Sequence, residues 1–320
     1  MTTPFQWLAT RVSFERAALR RAAAAGLATS VMIILSGGIV RVTGSGLGCD
    51  GWPNCSESSF AATSEMGVHA AIEFSNRLLT GVICAAVGWL IVVARLQRRP
   101  VPALTRWGWV QFWIVILNAV VGGITVWARL SPYIVAAHFL AAVLFLTATT
   151  VVWHKVRMLD RSAHPLAAPV GRLPSALLVG VALLIVAGTI VTGTGPHAGD
   201  SSDVPRMPLD WSAMAWVHAA AAVLVLAIAS ALWVRTRRDR SSTAHRRATL
   251  FLAVFFAQGL IGLAQIATGL AEAVIVVHLL GSALVWTGAV RVFLDTHAPV
   301  TARLIGEVVD RGESDRGLRA

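Results

Sequence analysis

Three histidines, His138, His218 and His278, stand inside otherwise apolar stretches of the 320-residue chain. An ionisable side chain surrounded by hydrocarbon is costly, so such a residue marks a metal, proton or ligand site unless it only hydrogen-bonds a neighbouring helix. Their depths agree: His138 stands 17 residues before Lys155, His218 17 before Arg235, and His278 13 before Arg291. Two imidazoles on alternate helices of one bundle clamp an iron porphyrin from both faces, and His218 and His278 have that spacing. Zinc suits them less well, because no cysteine or carboxylate joins them at that depth.

A second group gathers in the string from His69 to Arg77. His69, Glu73, Asn76 and Arg77 recur at three- and four-residue intervals and share one helix face. A half-buried Glu73 suits a general base near neutral pH, and the Arg77 guanidinium suits the clamping of a propionate; the competing account is a helix-stabilising ion pair between the two. Just before them, Cys49 and Cys55 flank Asp50-Gly51-Trp52-Pro53-Asn54. On the oxidising side of a membrane such a pair forms a disulfide, either a structural cross-link or a redox-active couple. Cys84 reads as an inert apolar residue within a helix. His154, His164, His245 and His297 fall in inner segments and His197 in an outer loop, where solvated positions are expected.

The elements that must position these groups are membrane helices. Hydrophobic residues make up 56% of the chain and charged residues 13%, more apolar matter than a single soluble core buries. Eight stretches are long enough to cross a bilayer: 22–42, 71–94, 107–127, 133–153, 174–193, 213–234, 248–270 and 273–294. The first is read as a retained helix, since no small-residue cleavage pattern follows it. With the N-terminus inside, 23 of the 27 basic residues lie on the inner side, leaving Arg41, Arg77, Arg129 and Arg206 outside. The net charge of +11 is therefore a topology signal and an attraction to anionic lipid, with no nucleic-acid partner implied. Both termini are expected in the cytoplasm and the chain in the plasma membrane.

The sequence repeats. An offset of 140 superimposes Asn118 on Gln258, Gly122 on Gly262 and His138 on His278, and Ile39-Val40 matches Ile190-Val191 at an offset of 151. The expected fold is all-α: two pseudo-symmetric four-helix bundles related by an axis along the membrane normal. The boundaries are a cytoplasmic segment 1–21, a first bundle 22–155, a linker 156–173, a second bundle 174–294, and a cytoplasmic tail 295–320, whose last residues from Thr301 are expected to be mobile. Matched inner loops align Asn76 with His218, hence Glu73 with Ala215 and Arg77 with Ala219. Acid and base are present in the first bundle only, so chemistry is expected there.

These residues together resemble the bacterial heme A synthase family, over all eight helices. The specific matches are Glu73-Phe74-Ser75-Asn76-Arg77, the Cys49 and Cys55 pair, and single histidines in the fourth, sixth and eighth helices. The resemblance implies a heme b held by His218 and His278, heme O as substrate in the first bundle with His138 on its iron, and Glu73 as the essential carboxylate. It implies oxidation of a heme O methyl group to the formyl group of heme A, with heme O synthase and cytochrome oxidase assembly factors as protein partners beside membrane lipid. The family motif commonly has histidine where Asn76 stands, so the second axial ligand of the substrate iron is open between Asn76 through water and His69. The rival classes are a cytochrome b-type electron-transfer subunit that transforms nothing, and a transporter built from parallel repeats.

Overall fold

The protein is described by a computed structural model covering Leu8 and residues 11–159, 170–238 and 242–296. Eight long helices follow one another: α1 (Arg16–Val42), α2 (Gly67–Arg95), α3 (Pro102–Trp127), α4 (Pro132–Met158), α5 (Leu173–Thr194), α6 (Trp211–Thr236), α7 (Thr243–Ala267) and α8 (Glu272–Thr296). Each is long and apolar enough to cross a membrane. Proline occupies the first turn of α3, α4 and α5, where its missing N–H has no intrahelical partner to lose. Asp210 caps α6 by accepting from the Ala213 amide, and Ser242 caps α7 by accepting from that of His245.

All eight expected spans are present, and the largest differences in their ends share one cause. α1 begins at Arg16 rather than 22, α3 at Pro102 rather than 107, α7 at Thr243 rather than 248, and α4 continues to Met158 rather than 153. Every one of these extensions is at the basic end. Counting apolar residues finds where hydrocarbon stops, whereas backbone hydrogen bonding carries the helix on among headgroups, where Arg and Lys are solvated. α7 instead stops three residues early, because Gly269 and Leu270 turn the chain with φ of 63° and 65°.

Packing closes two rings. α1, α2, α3 and α4 each touch the next and α4 returns to α1; α5, α6, α7 and α8 do the same. The rings meet through α1 on α8, α4 on α5, and α4 on α8. The first two of these contacts exchange under the repeat and the third maps onto itself, as a two-fold relation requires. Gly38 of α1 lets Leu279 of α8 approach so closely that an added Cβ would lie 2.4 Å from its Cδ1. Trp286 of α8 donates its indole N–H to Thr147 of α4 at 2.8 Å. Ile34, Leu146 and Ala283 are buried between these helices.

At the basic end a buried polar knot joins the rings and corrects an expectation. His154 is not solvated: it is 3% exposed, and its Nδ1 lies 3.3 Å from Oδ1 of Asp295, whose other oxygen accepts from Arg247. The inner-segment assignment missed this because α4 continues past the hydrocarbon and turns His154 toward α8. His245 is half-buried beside the Thr236 hydroxyl and the Trp233 ring, and His197 is half-buried near the Leu270 carbonyl. Cys84 faces outward from α2. His164, His297 and the tail from Thr301 lie outside the described residues.

Removing one partner from a buried ion pair strands the other. Asp295→Ala is therefore expected to destabilise the protein by about 3 kcal/mol, read as a lowered midpoint of thermal unfolding in detergent, while Asp203→Ala on the exposed outer loop leaves the midpoint unchanged.

Candidate functional site

The opposite end of the molecule carries the groups singled out by sequence. Between α1 and α2 the chain forms a long loop whose cysteines are joined, Cys49 to Cys55. Both sulfur-bearing residues are fully buried, packed on Ala70 with Met66 and Phe74 alongside. A soluble thiol would have to lift the loop to reach them, so the arrangement suits a cross-link better than an exposed couple.

Glu73 and Arg77, one turn apart on α2, hold that loop down. Glu73 is 5% exposed, and its Oε2 accepts from the Cys49 amide at 2.7 Å. Its Oε1 accepts from Nε and a terminal nitrogen of Arg77. The remaining Arg77 N–H groups reach the carbonyls of Cys49, Gly51 and Asn54. All five guanidinium N–H groups are thus engaged, and a propionate clamp at Arg77 would have to displace a loop carbonyl. Trp52, in the middle of the loop, lies on α3 where Gly123 leaves room: a Cβ there would sit 2.6 Å from the indole. Trp52 also meets Trp127 edge-on, with ring centroids 5.5 Å apart.

The same loop grips the second half. Ser45 pairs with Asp200 across an antiparallel bridge, the Gly46 amide donates to the Gly199 carbonyl at 2.7 Å, and the Leu47 amide donates to Asp200 at 3.2 Å. Burial would push the Asp200 carboxyl up, but hydrogen bonds from Ser202 and Leu47 outweigh it and hold the group below its ordinary value. Nearby, Arg41 donates to the Thr192 carbonyl at 2.7 Å, while its Nε is buried with no partner among the described residues. Arg206, within electrostatic reach of Arg41, donates to the Gly195 carbonyl.

Below this rim lie the three histidines, each seated on a glycine of the adjacent helix. A Cβ added at Gly122 of α3 would meet His138 at 3.1 Å, one at Gly262 of α7 would meet His278 at 3.4 Å, and one at Gly188 of α5 would meet His218 at 3.2 Å. Each ring is half-buried; Nδ1 of His138 and of His278 is buried with no protein partner among the described residues, while the His218 ring lies within reach of the Leu184 backbone. His218 and His278 lie within electrostatic reach of each other. Two imidazoles held on bare backbone on alternate helices of a ring form a donor set that fits a six-coordinate heme iron.

In the first half Asn76, which the matched inner loops align with His218, faces the corresponding stretch of the preceding helix. Asn76 meets α1 at Ser36, whose hydroxyl donates to Oδ1 at 2.6 Å, and Ser36-Gly37 is the counterpart of Ala187-Gly188 at the repeat offset of 151. His69 is elsewhere: it is exposed, its Nδ1 is 2.9 Å from the Ser45 hydroxyl, and it lies about 10 Å farther along the helix axis.

Several of these partners were not found from sequence. The glycine seats carried a legible signal, since Gly122 and Gly262 each precede a histidine by 16 residues, but no sequence signal ties Glu73 to the Cys49 amide or Leu47 to Asp200. Those contacts depend on how an irregular loop folds back.

Residues 20–290 match the family described as cytochrome oxidase assembly protein, COX15-CtaA. The chain is 28% identical to the heme A synthase of Rhizorhabdus wittichii, over 80% of this chain and 89% of that one. It is 32% identical to the heme A synthase of Lysinibacillus sphaericus over 34% of this chain and 35% of that one, and 27% identical to that of Staphylococcus saprophyticus over 52% and 55%. The chain thus spans between a third and about half the length of these last two relatives, and most of the first.

The glycine seats give a paired prediction. Gly188→Val forces the His218 ring off α5 and is expected to lower the heme absorbance that co-purifies with the chain while circular dichroism stays helical. Gly37→Ala, whose Cβ meets nothing within 4 Å, should alter unfolding by less than about 1 kcal/mol.

Proposed function

Because the chain belongs to the cytochrome oxidase assembly protein family COX15-CtaA, we propose that it is a heme A synthase, an oxidoreductase that converts a methyl group of heme O to the formyl group of heme A. The single observation that carries this reading is the asymmetry of the repeat. Both halves seat an imidazole on a glycine, but among the described residues only the first pairs a buried carboxylate with a guanidinium one turn away beneath a cross-linked loop at the outer end of the bundle. An electron carrier with two equivalent hemes has no use for that difference, and a transport path has no use for depth-matched imidazoles.

In this reading heme O enters the first bundle from the lipid, with His138 on its iron and its hydrocarbon tail between helices. Its propionates face the outer rim, where Arg41 has an unpartnered Nε and Arg206 stands beside it; Arg77 joins them if the loop carbonyls yield. Two guanidiniums near each other are electrostatically unfavourable until an anion lies between them, which favours carboxylates there.

Oxidation of a methyl to a formyl group removes electrons and protons from one carbon and installs one oxygen. The protons need an acceptor near the porphyrin edge. Glu73 is the buried carboxylate at that end, and its Oε2 is held by a single backbone amide, so it is the group that takes a proton from the attacking oxygen. Arg77 aims Glu73 through two hydrogen bonds to its Oε1, and the loop bearing Trp52 excludes water above α3. When bound between His218 and His278, heme b supplies one-electron redox chemistry. His218 and His278 hold it at the same depth as His138.

The basic band at the inner ends of the helices supports a reading in which both termini are cytoplasmic and the cysteine loop is on the oxidising face of the plasma membrane. Heme O synthase as donor and cytochrome oxidase assembly factors as acceptors are the protein partners this activity calls for, with membrane lipid around the chain.

Glu73→Gln keeps the shape and an acceptor for the Cys49 amide but removes the base. Expressed in cells that make heme O, this variant should fold and retain heme, yet release no heme A by mass spectrometry of extracted pigments; normal heme A output would remove Glu73 from the mechanism.

A further inference from the structure

The Asn76 slot is built differently from the His218 slot in a way that goes beyond one substitution. In the second half the helix preceding the ligand reads Ala187-Gly188, and the imidazole of His218 fills the space over the glycine. In the first half the same positions read Ser36-Gly37. The Ser36 hydroxyl takes the Asn76 carbonyl oxygen, the atom of that side chain able to ligate iron. Its Nδ2 donates to no protein group among the described residues, and a Cβ on Gly37 meets nothing within 4 Å. Two residues differ together, Asn76 for His218 and Ser36 for Ala187, beside a glycine that both halves keep, and both changes act in the same sense. The ligating atom is withdrawn, a hydrogen-bond donor is left, and the volume that an imidazole occupies in the other half stays open.

His69 does not close that side. It is exposed at the rim, engaged with Ser45, and roughly 10 Å from Asn76 along α2. Gly48 is packed against the His69 backbone so tightly that a Cβ on the glycine would lie 2.4 Å from the His69 carbonyl carbon, so the loop fixes that first turn of α2.

We infer that the first half holds its porphyrin by His138 alone and that the space between Asn76 and Gly37 is a binding site for a small exogenous ligand of the dioxygen or carbon monoxide class, steadied by a hydrogen bond from the Asn76 amide. A bound diatomic carries partial negative charge on its outer atom, which an N–H donor stabilises. The inference rests on heme O occupying the first half, as proposed above, and concerns binding only.

The test uses the full chain purified in detergent from cells that make heme O, with heme O and heme B extracted and quantified. The oxidised protein is expected to show one low-spin and one high-spin ferric heme by electron paramagnetic resonance, and the reduced protein to bind carbon monoxide at the heme O site. Asn76→His should convert the high-spin heme to low spin and abolish carbon monoxide binding. Ser36→Ala, which frees the amide from its tether, should keep binding but change the dissociation rate about fivefold, the worth of one hydrogen bond. His69→Ala should change neither spectrum.

A chain loaded with both hemes but low spin throughout, or one whose low-spin signal turns high spin only on removal of His69, overturns this inference and leaves the enzyme assignment standing. A chain that never carries heme O overturns the assignment itself, and this inference with it.

Discussion

A histidine ring inside a lipid-facing bundle needs two things at once: a surface to lie on and something to satisfy its nitrogens. Here the surface is in every case a glycine of the preceding helix, with the ring 3.1 to 3.4 Å from where a side chain would begin. Any larger residue would tilt the imidazole or push the helices apart. The nitrogens are the second half of the constraint. A buried ring nitrogen without a partner costs free energy, so rings such as those of His138 and His278, whose Nδ1 meets no protein group among the described residues, suit a bundle that holds a ligand. Helix spacing, glycine placement and interior polarity all follow from that requirement.

Much of this was legible in the sequence because it is periodic. Hydropathy runs gave all eight helices, and a fixed offset gave the duplication and the equivalence of His138 with His278. Asn76 was matched to His218 by counting residues to the inner loops, and the contact with Ser36 places it in the same register. What escaped was of two kinds. His154 was misread because a residue's distance from an apolar run does not tell which way its helix faces once it leaves the hydrocarbon. The hold of Glu73 on the Cys49 amide escaped because loop geometry has no period. The acid and base stood out in the sequence as an unusual pair, but their attachment to the cysteine loop is a tertiary fact.

That attachment changes how the outer end is understood. Glu73 and Arg77 form an i,i+4 pair, which on an exposed helix would contribute a few tenths of a kcal/mol. Buried and bonded to four loop backbone groups, the pair has become the floor on which the loop rests. A carboxylate so placed is oriented by the backbone of the residue that forms the disulfide. The loop in turn reaches Gly199 and Asp200 of the other half, so disturbance of the disulfide propagates to the carboxylate and to the contact between halves by short covalent and hydrogen-bonded paths.

The parallel duplication has one more effect. Because the two halves share one orientation, their imidazoles sit at one level. Any electron exchanged between them would move sideways within the sheet of lipid. A charge moving normal to the sheet does work against the transmembrane voltage, about 2.3 kcal/mol per 100 mV; a lateral one does none. An exchange between the imidazoles of the two halves would therefore proceed alike whether the transmembrane voltage is high or collapsed.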